Sequence, residues 1–255
     1  MEHKHISYTE AGHVGRLVLK RPPVNILNIE MMREITDVLL GVQKSQGLRA
    51  LVISAEGKFF SAGVDVGEHT KDRVREMISV FHGIFDNLNR INVPTIALVA
   101  GPALGGGCEL ALYCDMVLAS ERAKFGQPEI KVGVFPPIAA FLVPNIAPVK
   151  FASEMLLTGE TYSAAEMKQA GLVNRVFPED KFQAESEAFL EKVLAQSSVV
   201  LQLAKRAILA GRCKGYKEAM PTIEELYLNN LMSTEDASEG LAAFMEKRKP
   251  AWKDK

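Results

Sequence analysis

The chain has 255 residues, with 30 Lys and Arg against 31 Asp and Glu and a formal net charge of −1. At 47% apolar and 24% charged residues it has the composition of a soluble globular protein, large enough to bury a core without staples. Near-neutrality removes the long-range field that recruits nucleic acid or an anionic membrane surface, so neither partner is expected.

Gly, Pro or charge breaks every apolar run well short of the roughly 20 residues that a bilayer requires. Met1-Glu2-His3-Lys4-His5 lacks the apolar stretch of a secretory signal, which favours a cytoplasmic protein. Cys108, Cys114 and Cys213 are odd in number and match no usual zinc spacing. All three read as small core residues rather than metal ligands or disulfide partners.

The first half alternates strand-like and helix-like segments. Residues 14–19 are mostly β-branched or apolar, and Arg21-Pro22-Pro23 ends them. Asn28 is placed to cap a helix whose apolar positions Ile29, Met32, Ile35, Val38 and Leu39 recur at helical spacing. Residues 50–54 read as a buried strand. The stripe Val74, Met77, Ile78, Phe81, Phe85 and Leu88 predicts a long amphipathic helix over about 72–91. Pro94 opens a strand over 95–100, which runs into a glycine-rich turn and another helix, and 116–119 is a fourth strand. Strands separated by helices argue for an α/β domain with crossover connections.

The second half is mostly helical. Ser163 and Glu166 form a capping box, and Gly171 ends that helix. A short strand over 173–177 follows, then helices over 182–196, 199–210, 216–231 and 235–247. The expected division is a core over residues 1–195 and a helical C-terminal subdomain over 196–255.

Chemistry concentrates in three segments. In Gly101-Pro-Ala-Leu-Gly-Gly-Gly-Cys-Glu109, Gly105 to Gly107 sit between a strand and a helix. They let a ligand approach backbone N–H groups that a helix N-terminus leaves unpaired. A phosphate would need a following Lys-Ser or Lys-Thr, which is missing, and Glu109 would repel it. A carbonyl becoming an oxyanion fits better, although close strand–helix packing also explains a glycine run. Glu109 lies among Cys108, Leu110, Ala111 and Leu112, so it must be paired, neutral or functional. Glu129 follows Pro128 in Phe125-Gly-Gln-Pro-Glu129; it could share a water with Glu109 or sit in a surface ion pair. Phe60-Ser-Ala-Gly-Val-Asp65 again offers small residues at a turn, without the frame of a nucleophile elbow. None of the five histidines stands in a triad-like context, and none is expected to be catalytic.

Together with Arg21-Pro-Pro-Val-Asn-Ile-Leu-Asn28 and Glu246-Lys-Arg-Lys-Pro250, these segments resemble the crotonase, or enoyl-CoA hydratase/isomerase, superfamily nearly end to end. The resemblance implies a spiral of ββα units with a C-terminal helical region that builds trimers, often paired into hexamers. It implies an oxyanion hole made by the backbone N–H groups of Val64 and Gly106. Acyl-CoA would lie against Ala62, Asp65, Val66, Gly105, Phe135 and Pro136, with no metal and no cofactor beyond the coenzyme A of the substrate.

Hydratases of the family carry glutamates at both catalytic positions, here Glu109 and Glu129, although some relatives with both isomerise and others bind RNA. The chain departs from common straight-chain hydratases after Gly133. Val134-Phe-Pro-Pro-Ile-Ala-Ala-Phe-Leu-Val-Pro144 stands where they have a glycine-rich segment. A stiffer, apolar wall suits a compact ring, although a repacked core would also explain the change. The stretch from Phe125 to Pro137 resembles the family branch that hydrates cyclic dienoyl-CoA thioesters in anaerobic aromatic degradation, which implies 1,4-addition of water.

Overall fold

The computed structural model describes residues 3–45 and 47–255. Strands β1 (Ile6–Ala11) and β2 (Val14–Leu19) form an antiparallel hairpin. Gly12 and His13, at φ +55° and +67°, supply the left-handed pair that a two-residue primed turn requires. From β2 onward the chain repeats one unit: a strand in a large sheet, a short extended segment in a second layer, then a helix. β2 leads through Leu27 to α1 (Ile29–Val42), which Asn28 caps by accepting from the Met31 N–H. β3 (Ala50–Ala55) leads through Ser61 and Val64 to α2 (Val74–Leu88). β4 (Thr95–Val99) leads through β5 (Ala103–Leu104) to α3 (Gly106–Tyr113).

The fourth unit, β6 (Met116–Ser120) and β7 (Lys124–Gly126), continues through a tight turn at Pro128–Val132 into α4 (Pro137–Ile146) and α5 (Val149–Thr158). β8 (Thr161–Ser163), α6 (Ala164–Gln169) and β9 (Arg175–Phe177) then return the chain to the large sheet.

The large sheet has the order β1-β2-β3-β4-β6-β9, parallel from β2 onward. In the second layer Leu27 pairs with Val64, Ser61 with Ala103, and β5 with β7, all parallel, while β8 joins β7 antiparallel. This is the expected spiral. Every residue of β4 is buried, as required of a parallel strand covered on both faces. One face packs on α1, α2 and α3 through residues such as Ile35, Leu39, Phe60 and Phe85. The other, through Val52, Ile96 and Leu118, receives Phe182 and Leu190 of α7 (Phe182–Leu194).

The remaining helices are α8 (Ser198–Gly211), α9 (Tyr216–Glu225), which continues as a wider turn through Leu231, and α10 (Glu235–Met245). Lys205 of α8 anchors them to the core. Its Nζ lies 2.7 Å from Asp115 Oδ2 and donates to Val93 O at 2.9 Å. Asp254 in the tail ties α8 to the sheet by accepting from Ser198 N–H and pairing with Arg49.

The expected capping box at Ser163 and Glu166 is present, and Gly171 follows that helix at φ +82°. The sequence reading omitted β1, β5, β7, β8, α4 and α5. β5, β7 and β8 hold only two or three residues, too few for a period-2 pattern to register, whereas β1 has six but grows polar and exposed toward its end. Pro136, Pro137 and Pro144 masked α4. Cys213 corrects the reading of all three cysteines as core: Cys108 and Cys114 are buried, but Cys213 is exposed on the turn after α8.

Candidate active site

Two glycine turns of the second layer meet edge to edge. Each glycine of the 105–107 run has a different close neighbour. A Cβ on Gly105, which caps α3 at φ +50°, would lie 2.5 Å from Glu129 Oε1. One on Gly106 would lie 2.6 Å from Val64 Cγ2, and one on Gly107 2.7 Å from the Ser61 carbonyl. Across the gap, Gly63 sits at φ +105°, where a Cβ would meet Leu104 O at 3.2 Å and Gly106 N at 3.6 Å. Backbone meets backbone here because side chains would keep the turns apart.

The bridge between Leu27 and Val64 uses the Gly63 carbonyl, which accepts from Leu27 N–H, and the Asp65 N–H, which donates to Leu27 O. That pattern turns the Val64 N–H away from Leu27. Gly106 is the first residue of α3, one of the positions whose N–H a helix cannot satisfy. Among the described residues neither amide has an acceptor.

Both residues line a cavity of about 350 Å³. Its floor holds Ala62, Gly63, Val64, Gly105 and Gly106, and one wall is Val74, Met77, Ile78 and Phe81 of α2. The facing wall is Pro128, Val132, Val134, Phe135, Pro136 and Pro137, with Val66 and His69 also on the lining. Glu109 and Glu129 open into this one space.

Glu109 projects from the first turn of α3 and is only 2% exposed. Its Oε1 accepts from the Ala139 N–H at 2.7 Å. Pro136 and Pro137 enter α4 with no N–H of their own, so Ala139 presents one of the first free amides of that helix. Burial raises the Glu109 pKa from 4.5 to about 8; the Ala139 amide opposes the rise and the Glu129 charge adds to it. Burial also raises Glu129, from 4.5 to about 7, and its Oε2 has no hydrogen-bond partner. Two carboxyls that titrate near neutrality can pass a proton in either direction. Two unpaired amides can receive an oxygen as it gains negative charge. The described residues hold no group of three or more His, Cys, Asp and Glu side chains arranged for a metal ion.

The sequence pattern of the enoyl-CoA hydratase/isomerase family matches residues 9–255. The chain belongs to this family. A probable enoyl-CoA hydratase of Mycobacterium bovis is 38% identical over 241 residues, 93% of each chain. The cyclohexa-1,5-dienecarbonyl-CoA hydratase of Thauera aromatica is 36% identical over 244 residues, covering 96% of this chain and 94% of the relative. The crystal structure of an enoyl-CoA hydratase from Bacillus anthracis superposes with a TM-score of 0.93 at 30% identity, over 99% of this chain and 100% of that one. The protein is therefore an enzyme of the enoyl-CoA hydratase type, with an acyl-CoA substrate.

Of the residues singled out in the sequence, Ala62, Val64, Val66, Gly105, Gly106, Glu109, Glu129, Phe135 and Pro136 all line the cavity. Asp65 does not. Its carboxylate accepts from Gly67 N–H at 2.9 Å and caps the turn Val66–Glu68. The sequence reading missed the α2 wall, because Met77 and Phe81 also belong to the core and follow the same helical stripe. It also left out His69, whose Nδ1 lies 3.0 Å from Asp65 O.

Proposed function

We propose that the enzyme adds water to a conjugated cyclic acyl-CoA, converting cyclohexa-1,5-diene-1-carbonyl-CoA into 6-hydroxycyclohex-1-ene-1-carbonyl-CoA in anaerobic aromatic (benzoyl-CoA) degradation. The observation that carries this reading is the wall at 134–137. Val134, Phe135, Pro136 and Pro137 line the same cavity as both glutamates, where a flexible glycine-rich loop would leave room for a moving chain. The similarity to the Thauera aromatica hydratase supports it.

In this reading the thioester oxygen accepts from Val64 and Gly106 N–H. Water oxygen bonds to the ring carbon β to the thioester, and one glutamate takes the water's proton. The electron pair of that double bond moves toward the thioester oxygen and delocalises over the second double bond. The other glutamate protonates the far end of this dienolate, leaving one double bond conjugated with the thioester. The atoms of one water are added, and the carboxyl pair ends with its proton exchanged, to be reset through the shared site. The steps call for neither a metal nor a redox cofactor; coenzyme A arrives with the substrate.

We also propose that the trimer or hexamer interface lies on the region after residue 195, where Tyr227 and Leu228 are exposed on the wider turn after α9 and Leu241, Phe244 and Met245 on α10. Burying these side chains between copies would remove their apolar area from water.

A second reading is a straight-chain enoyl-CoA hydratase or isomerase; the similarity to the probable enoyl-CoA hydratase of Mycobacterium bovis is compatible with its hydratase form. A panel of cyclic and linear enoyl-CoAs, followed by loss of conjugated-thioester absorbance with products identified by NMR, decides between them. The cyclic diene should have the highest kcat/KM; a clear preference for crotonyl-CoA would reject the cyclic reading.

A further inference from the structure

Glu68 is a buried carboxylate that the chemistry above does not use. It is 6% exposed and lies outside the cavity lining, four residues after Val64. Both of its oxygens are engaged: Oε2 accepts from the Ile29 N–H at 2.8 Å, and Oε1 pairs with Arg73 at 3.1 Å. Ile29 is the first residue of α1, and Arg73 immediately precedes α2, whose Val74, Met77, Ile78 and Phe81 form a cavity wall. One side chain thus joins the starts of two helices to the turn that carries the Val64 amide.

Beyond Asp65 the rest of that turn is lightly held. Before Val64 it is stitched to its neighbour by Ala62 N–H to Val24 O and Leu27 N–H to Gly63 O. After Val64, Asp65 N–H donates to Leu27 O, but the contacts of the Asp65 carboxylate and of His69 stay within the turn. Val66 is 70% exposed and packs little. A neutral side chain would suffice to cap Ile29; burying a carboxylate is costly unless both oxygens are paired. What the charge adds is the tie to Arg73 and α2.

We propose that Glu68 is a positioning residue that fixes the direction of the Val64 amide relative to that of Gly106. The assignment rests on the oxyanion-hole reading and deepens it. Hole donors act by preorganisation, so loosening the turn weakens binding of an oxyanion more than binding of a neutral thioester.

The test compares dissociation constants for acetoacetyl-CoA, which can bind as its enolate, and butyryl-CoA, a neutral thioester of the same length. Enolate absorbance of the bound ligand serves as the spectroscopic signature. Wild type should favour acetoacetyl-CoA, and Glu68→Ala should cut that preference about tenfold while butyryl-CoA affinity changes no more than about twofold, as for a lost charge-assisted contact. Glu68→Gln keeps an acceptor for Ile29 and Arg73→Ala keeps the carboxylate. Each should cut the preference about threefold and provide the answer if Glu68→Ala does not fold.

A wild-type preference that survives in all folded variants, or equal weakening of both ligands, overturns the role of Glu68 while the hole stands. No preference and no enolate signal in wild type overturns the hole itself and this assignment with it.

Discussion

Replacing Glu109 by Gln should make the protein more stable and less active, with the gain in stability set by pH. Raising the carboxyl pKa from 4.5 to about 8 means that ionisation in the fold is disfavoured by about 5 kcal/mol relative to the unfolded chain. Between those two values the native carboxyl holds a proton that the unfolded chain has released. Unfolding then releases a proton, so wild-type stability falls as pH rises through this window and levels off above it. The amide side chain introduced by Glu109→Gln would keep an oxygen for the Ala139 N–H without the charge. The variant should match wild type near pH 4.5 and exceed it progressively up to pH 8, by about 2–5 kcal/mol once local relaxation is allowed. Urea unfolding followed by circular dichroism at fixed protein concentration measures this directly, because a fixed concentration removes any contribution from assembly. A difference that stays flat from pH 5 to 9, or reverses, refutes the picture of a buried acid. The same variant should lose at least about 100-fold in turnover.

Glu129→Gln should also lower kcat by at least about 100-fold. The wild-type kcat/KM profile should be bell-shaped, with limbs near pH 7 and 8 that belong to the carboxyl pair, since one member must be ionised and the other protonated. A profile flat across that range would remove the paired-acid assignment. Gly106→Ala places a methyl 2.6 Å from Val64 Cγ2 and should lower kcat/KM about 100-fold or more, in line with the loss of an oxyanion donor; wild-type kinetics in this variant would argue against the hole. Lys205→Met removes a buried ammonium that pairs with the exposed Asp115 and donates to Val93 O, and urea unfolding should show a loss of about 1–2 kcal/mol with little change in KM. Phe135→Ala should narrow any preference for cyclic over linear enoyl-CoAs in a competition assay, because it opens the apolar wall; an unchanged ratio would separate Phe135 from selectivity.

Local signals in the chain were enough to place two helix caps and the buried parallel strands β2, β3, β4 and β6, although not the six-residue β1. Asn28 and the Ser163–Glu166 pair carry their capping chemistry in their side chains, and β4 carries its burial in five consecutive non-charged residues. Glu109 stood out because a carboxylate inside an apolar helix must be explained wherever the helix lies. The glycine run was equally visible, but its meaning was divided between packing and ligand approach until Glu129, Val64 and Ser61 were found against successive glycines.

What the linear chain could not express was coincidence between distant turns. Val64 and Gly106 are 42 positions apart, and their amides stand together because single-residue bridges stack the second layer; no periodic pattern encodes a bridge one residue long. The amide that holds Glu109 comes from α4, behind a Pro-Pro entry that reads as a break rather than a helix start. The elevated pKa values belong to the same level. Side-chain type supplies a carboxyl near 4.5, and the surrounding desolvation, which exists only when these elements have closed around it, moves it toward neutrality.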